Sequence, residues 1–403
     1  MERGVIELYL AFLALEAAVE LVLNELNLRH YRAKRGKEEW KALEYALVRG
    51  RFARAAILWD TGTRLLDAFL LLPVLGAAAR ALAPFLPMPY AESVLFCLGY
   101  ALLRHVDEVP LDLYDTFSIE QRFGFNRTTP GAYALDGLKS AALAAAFGVP
   151  TLLCAFLLID RAGPRWWLWA FALSMAFHFL LMHVSPAFIE PLFNRFEPLA
   201  DGELRERALA LAGKVGFPGR EIQVKDASRR TGHSNAYFTG VGRAKRIVFY
   251  DTLLAELTVE QSVGVLAHEL GHWKLRHVEE SMALWALVSF IDLYLMSLAL
   301  RFEPLCGAFG LAPSPHAAMV AYWIVAPQLF FWRGPLTNIM RRRQEREADR
   351  FARAAAGGGA ELAGALDAVA DHNLGAPGAH PWHHAYYSSH PTFRERLAVF
   401  EEG

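Results

Sequence analysis

Long apolar runs separated by basic loops set the pattern of this chain. A bilayer core about 30 Å thick needs about 20 mostly apolar helical residues. Val5–Asn24, Leu65–Phe85, Ala141–Ile159, Trp166–Phe188, Met282–Leu300 and Ala317–Phe331 have that character, and Ser93–Leu103 is a shorter seventh candidate. The first run has no basic stretch ahead of it, carries Glu16 and Glu20 and lacks a small-residue cleavage site, so it reads as a retained span. Lys and Arg gather in Arg29–Arg54, Arg195–Arg246 and Arg341–Arg346, while the other connections are short and poor in positive charge. Basic loops stay on the cytoplasmic side. All three stretches are therefore expected there, with the amino terminus opposite.

Two polar blocks share that side. In Glu190–Glu260, Glu203–Val215 has helical spacing, and Gln223–Lys225 and Arg246–Tyr250 read as short strands around the polar turn Ser228–Ser234. Met340–Gly403 reads as helices broken by the loop Gly375–His384, with a short Gly357–Gly359 tract before it. The expected organisation is membrane helices one to five with their loops in residues 1–189, and the first part of a polar domain in 190–277. Helices six and seven follow in 278–335, and the second part of that domain in 336–403. The fold class is an all-α membrane protein of about seven transmembrane helices with a mainly helical polar domain carrying a small β-sheet.

Composition sharpens this. A mean hydropathy of +0.20 and 54% hydrophobic residues over 403 positions reflect spans rather than one large soluble core. With 41 basic against 42 acidic side chains, nothing suggests a nucleic-acid partner. Cys97, Cys154 and Cys306 are too scattered for a disulfide framework or a thiolate metal site, so a metal must use His and carboxylate.

That chemistry is present in His268-Glu269-Leu270-Gly271-His272. Histidines four apart share one helix face and can bind one Zn²⁺, with Glu269 beside them as the base for an attacking water. The helix is expected to begin near Thr258 and to run through Trp273 into span six. A catalytic zinc takes three protein ligands, and Glu345, on a predicted helix on the same side, is the best third. Asp349, one turn on, can orient one of the two histidines. Glu347 reads as a solvated partner of the nearby arginines. Asn235-Ala236-Tyr237-Phe238 reads either as an ordinary hairpin edge or as an exposed strand for an extended peptide. His390 is either polar surface or an imidazole placed for the oxyanion. His178, His183, Asp67 and Asp292 are costly in lipid, and either line a polar cavity or are satisfied inside the bundle.

An ordered set of motifs now resembles the type I CAAX prenyl endopeptidases, integral-membrane gluzincin zinc proteases. It comprises Leu111-Asp112-Leu113-Tyr114 with Ile119-Glu120 and Gly124-Phe125-Asn126, then Ile189-Glu190-Pro191 through Phe196. His233-Ser234-Asn235-Ala236-Tyr237-Phe238, Arg246-Ile247-Val248, Asp251-Thr252-Leu253-Leu254 and HELGHW follow. Glu345 to Asp349, Ser389-His390-Pro391 and Glu395-Arg396-Leu397 complete it. The resemblance implies seven helices enclosing a chamber, with His268, His272 and Glu345 as ligands of one zinc and Glu269 as base. It further implies Asn235 and Ala236 on the substrate strand with Tyr237 alongside, His390 as transition-state stabiliser and Arg396 at the substrate. The family removes the terminal tripeptide of farnesylated CAAX tails, which makes the expected partners the bilayer and a peptide or protein, prenylated or not. The sequence ends without an ER-retrieval signal and is rich in Ala and Arg, which suits a bacterial homologue in the inner membrane; a eukaryotic one would lie in the ER membrane. The competing functions are a broad quality-control zinc protease for membrane proteins and a non-catalytic lipid- or solute-handling protein with a structural metal.

Overall fold

Every apolar run expected to cross the bilayer is helical in the computed structural model, but the runs fuse with their flanks into longer elements. The structure describes residues 1–34, 40–219, 221–240, 245–356, 359–375 and 378–401. Arg35, Lys37, Arg220 and Arg243 of the basic stretches, Gly357 and Gly358 of the glycine tract, residues 376–377 of the late loop and the terminal Glu402-Gly403 lie outside them.

Among the described residues, four helical segments are long and apolar enough to cross a membrane: Lys41–Phe85, Pro130–Arg161, Gly163–Phe193 and His277–Ala299. The remaining expected spans fall short for identifiable reasons. Glu7, Glu16 and Glu20 interrupt the helix Glu2–Lys34, Arg104, Asp107 and Glu108 interrupt Ala91–Tyr114, and Pro315–Phe330 has only 16 residues. Leu138, Trp169 and Phe188 are exposed on the spans, as a lipid environment favours.

The charged residues inside the bundle are largely paired. Asp67 receives Arg104 at 3.0 Å, and Arg104 also meets Asp60 and Asp107. Tyr322 donates to Asp292 at 2.7 Å. His178 stacks on Trp285 with centroids 4.2 Å apart, and His183 sits 2.8 Å from the Phe179 carbonyl.

The polar blocks fold against this bundle around a four-stranded sheet: β1 (Phe196–Pro198), β2 (Glu221–Lys225), β3 (Ala236–Thr239) and β4 (Arg246–Tyr250), in the order β1-β2-β4-β3. β2 and β4 run parallel, β3 runs antiparallel to β4, and β3 is an edge. The short β1 has no sequence signal of its own. Ile247 and Phe249 bury against Leu266 and Leu270 of the helix Val259–Lys274 and against the expected helix Glu203–Val215. Thr258 starts Val259–Lys274 with a capping box to Gln261. The helix does not continue into the next span. Leu275 closes it, Arg276 takes a left-handed φ of 61°, and His277 opens a new helix.

Candidate active site

The Val259–Lys274 helix packs directly on Arg333–Ala356, and a glycine permits the closest point. A Cβ on Gly271 would come within 3.1 Å of the Ala348 Cα and 3.2 Å of its carbonyl oxygen, so only hydrogen fits there without displacing backbone. One turn along each helix the side chains converge. His268 Nε2 and His272 Nε2 are 3.1 Å apart, and Glu345 places Oε2 at 3.5 Å from the first and Oε1 at 3.3 Å from the second. Among the described residues, these three form the group able to hold a metal ion.

The donor set fits zinc. Tetrahedral bonds of 2.0–2.1 Å make the edges between ligand atoms about 3.3 Å, close to the separations here. With the Nδ1 protons engaged by Asp349 and His277, the two Nε2 lone pairs face each other across this edge, an arrangement that a cation between them reconciles. Glu345 Oε2 is buried and has no aligned hydrogen-bond donor, although His390 Nδ1 is 2.8 Å away. Burial pushes the Glu345 carboxyl up, but the surrounding imidazoles of His268, His272 and His390 outweigh it and hold the group far below the usual carboxylate range.

Each of the two histidines has its own support. His268 Nδ1 lies 2.9 Å from Asp349 Oδ1, so Asp349 orients His268. Arg396 grips the same fully buried carboxylate through two donors at 2.9 and 2.6 Å. Arg396, expected at the substrate, is thus engaged behind the ligands. His272 Nδ1 meets His277 Nδ1 at 3.0 Å, and His277 Nε2 reaches Glu347 Oε2 at 3.1 Å. Glu347 also pairs with Arg343 at 3.3 Å. A consistent proton pattern runs His272 Nδ1–H to His277 Nδ1 and His277 Nε2–H to Glu347, which leaves the His272 Nε2 lone pair facing the cluster. The sequence reading missed His277. On one continuous helix it would sit about 140° around from His272; the reversal at Arg276 brings it back. No linear signal marks that reversal, since Arg276 is a residue that rarely takes a positive φ.

Glu269 points from the same helix into a cavity of about 660 Å³. The cavity runs from His272 and Glu269 to Tyr237–Gly240 on β3 and onward to His178 and Trp285 between the membrane helices. Burial raises the Glu269 carboxyl against the pull of His268 and His272. Asn235 is exposed just ahead of β3, Ala236 is buried, and Tyr237 donates its hydroxyl to Glu190 at 2.8 Å. His390, 65% exposed, lies at the opposite rim in a second cavity of about 1050 Å³.

Comparison with known proteins matches this arrangement. Residues 36–195 match the family described as CAAX prenyl protease N-terminal, five membrane helices, and residues 198–402 match peptidase family M48. The CAAX prenyl protease 1 homolog of Dictyostelium discoideum is 37% identical over 321 residues, covering 76% of this chain and 72% of that protein. CAAX prenyl protease 1 of Saccharomyces cerevisiae is 33% identical over 329 residues, covering 77% and 72%. The crystal structure of S. mikatae Ste24p superposes with a TM-score of 0.89 at 27% identity, over 98% of this chain and 99% of that one. The chain therefore belongs to peptidase family M48, among the CAAX prenyl protease 1 proteins, and is an integral-membrane metalloendopeptidase.

Proposed function

We propose that the protein holds one zinc ion through His268, His272 and Glu345 and cleaves prenylated CAAX peptides presented from the cytoplasmic face. The observation that carries this reading is the single cavity wall on which Glu269 and His272 stand opposite the edge strand β3. When bound, the ion polarises the scissile carbonyl and acidifies water. Glu269, its carboxyl raised by burial, takes the proton of the attacking water and delivers it to the leaving amine. An extended peptide pairs with the β3 edge near Asn235 and Ala236, which fixes the bond over Glu269. His390, beside Glu345, is within reach of the oxygen that gains charge on that side. Asp349 and His277 hold the two imidazoles in the required tautomers. The apolar part of the cavity, between Met182, Met282 and Trp285, suits a lipid chain on the substrate, and the basic stretches argue for a cytoplasmic active site.

Glu269→Ala should retain zinc while cleavage falls by about 10³-fold or more, measured by metal analysis and a peptide assay; full activity would remove Glu269 from the mechanism. A farnesylated CAAX peptide should be cut at least about tenfold faster than its unprenylated twin, the gain expected from burying part of an isoprenoid. Equal rates would favour a broad quality-control protease instead.

A further inference from the structure

Two glutamates in the recognisable motifs, Glu120 and Glu190, lie outside the metal cluster, and the structure places both against the ends of the same strand. Glu120 ends the π-helical turn Asp115–Glu120, and Glu190 follows the π-helical turn Ser185–Ile189. Such turns are costly insertions in a helix and recur at functional sites. Glu120 Oε2 meets His233 Nε2 at 3.0 Å, while Tyr45 donates to its other oxygen at 2.6 Å. His233 Nδ1 faces Asn373 Oδ1 at 3.1 Å, and that oxygen also accepts the Ser234 N–H. Both ring nitrogens of His233 therefore face acceptors, the pattern of a doubly protonated imidazolium. Its ring stacks on Phe125 with centroids 4.1 Å apart. Within the strand, Tyr237 donates to Glu190, and at its far end Arg246, which pairs with Thr239 in the sheet, reaches the Pro186 carbonyl in the second π turn.

The outer side of the strand carries no partner strand, and the Ala236 N–H there is held by the Asn235 side chain at 2.9 Å. Tyr250 N–H donates to the Asn235 carbonyl at 3.0 Å, so in the alternating antiparallel ladder the backbone groups of Ala236 and Phe238 point to the free edge. We infer that Glu120 and Glu190 are positioning residues for peptide binding: through His233 and Tyr237 they suspend the β3 edge from two helices of the membrane bundle, and so hold it in the conformation with which a peptide pairs. This rests on the reading of β3 as the substrate strand. It also gives the bundle a part in peptide binding, because a shift of either π turn carries the strand with it.

The test uses the full-length enzyme in lipid nanodiscs with a farnesylated CAAX peptide, reading KM, kcat and bound zinc. Glu120→Ala and Glu190→Ala should each raise KM about three- to tenfold, the range for losing one hydrogen bond at an anchored group, with kcat and zinc within about twofold. The double variant should raise KM by at least the product. Glu190→Gln keeps an acceptor for the Tyr237 hydroxyl and should restore most of the loss. Unchanged KM in both alanine variants, or no recovery with Glu190→Gln, overturns the inference, as does a parallel fall of kcat and zinc content. Phe238→Pro, compared with Phe238→Ala, removes one outward N–H from the edge. If proline and alanine give the same KM, the substrate-strand reading fails and the inference with it. If only proline raises KM while the tether variants are silent, the inference alone fails.

Discussion

His268 rests on a buried ion pair, Asp349 with Arg396, whereas His272 leans on a second imidazole, His277, whose far nitrogen reaches the partly exposed Glu347. The two histidines of the proposed zinc site are four residues apart on one helix, yet their supports differ in charge and burial. A carboxylate accepting from Nδ1–H makes its histidine more electron-rich, while a neutral imidazole fixes the tautomer and adds less charge. The His268 wall therefore contributes affinity together with a stability liability, because either half of a buried ion pair is costly once alone. The His272 wall contributes orientation at lower risk.

Removing the carboxylate breaks this contrast most severely. Asp349→Ala leaves Arg396 and His268 without their anion in a site with no exposure, and should cost about 3–5 kcal/mol of stability and up to about 100-fold in zinc affinity. Denaturant unfolding and chelator competition measure the two. Gly271→Val attacks both walls through their spacing, since the added methyls meet Ala348 backbone. A loss of about 1–3 kcal/mol is expected, with zinc affinity falling for the pair as a unit; a variant with normal zinc binding would show that the helices can part without moving Glu345. His277→Ala should cost about tenfold in zinc affinity with a smaller change in unfolding midpoint than Asp349→Ala, and equal midpoints would erase the distinction drawn here. Glu347→Gln, still able to accept from His277, should be the mildest, within about threefold.

The tether at His233 extends the contrast to pH. Its hydrogen bond to Glu120 raises the imidazole above its ordinary value, against burial, with Asn373 adding to the rise and Arg49 opposing it; Asp115 and Tyr45 complete the charged and titratable surroundings. Because the folded value is raised, the pairing is fully present below the ordinary histidine value near 6.5. It is lost as pH rises through the shifted one. KM of the wild type should thus climb on the alkaline side of about 6.5, and Glu120→Gln should flatten that limb; an unchanged limb would separate His233 from substrate binding.

Much of the cluster was readable before folding, because helical spacing alone puts His268 with His272 and Glu345 with Asp349. The Glu203–Val215 helix and the strand at Arg246–Tyr250 were equally plain from periodicity. What escaped depends on chain reversal and on pairing between distant segments. His277 needed the left-handed Arg276, a conformation that arginine rarely adopts and that its sequence does not announce. β1 is three residues long and exists only through pairing with β2. Arg396 had the right neighbourhood and a different partner, since nothing in a linear pattern says whether a guanidinium faces a carboxylate on its own protein or one on a substrate. The outer apolar helices carry isolated acids, such as Glu16 with Arg64, which are tolerated where a bundle supplies a counter-charge that a linear pattern does not reveal.

The two helices that meet at the cluster also stand on either side of a detour. After Arg276 the chain leaves the catalytic half, passes through His277–Ala299 and Pro315–Phe330, and returns on the helix that carries Glu345. Roughly 70 residues must be threaded before that carboxylate can meet the histidines, a closure whose entropy grows only slowly with length but whose order is strict. A chain still emerging from synthesis holds both imidazoles without Glu345, so the three-residue cluster closes only after His277–Ala299 and Pro315–Phe330 have been made.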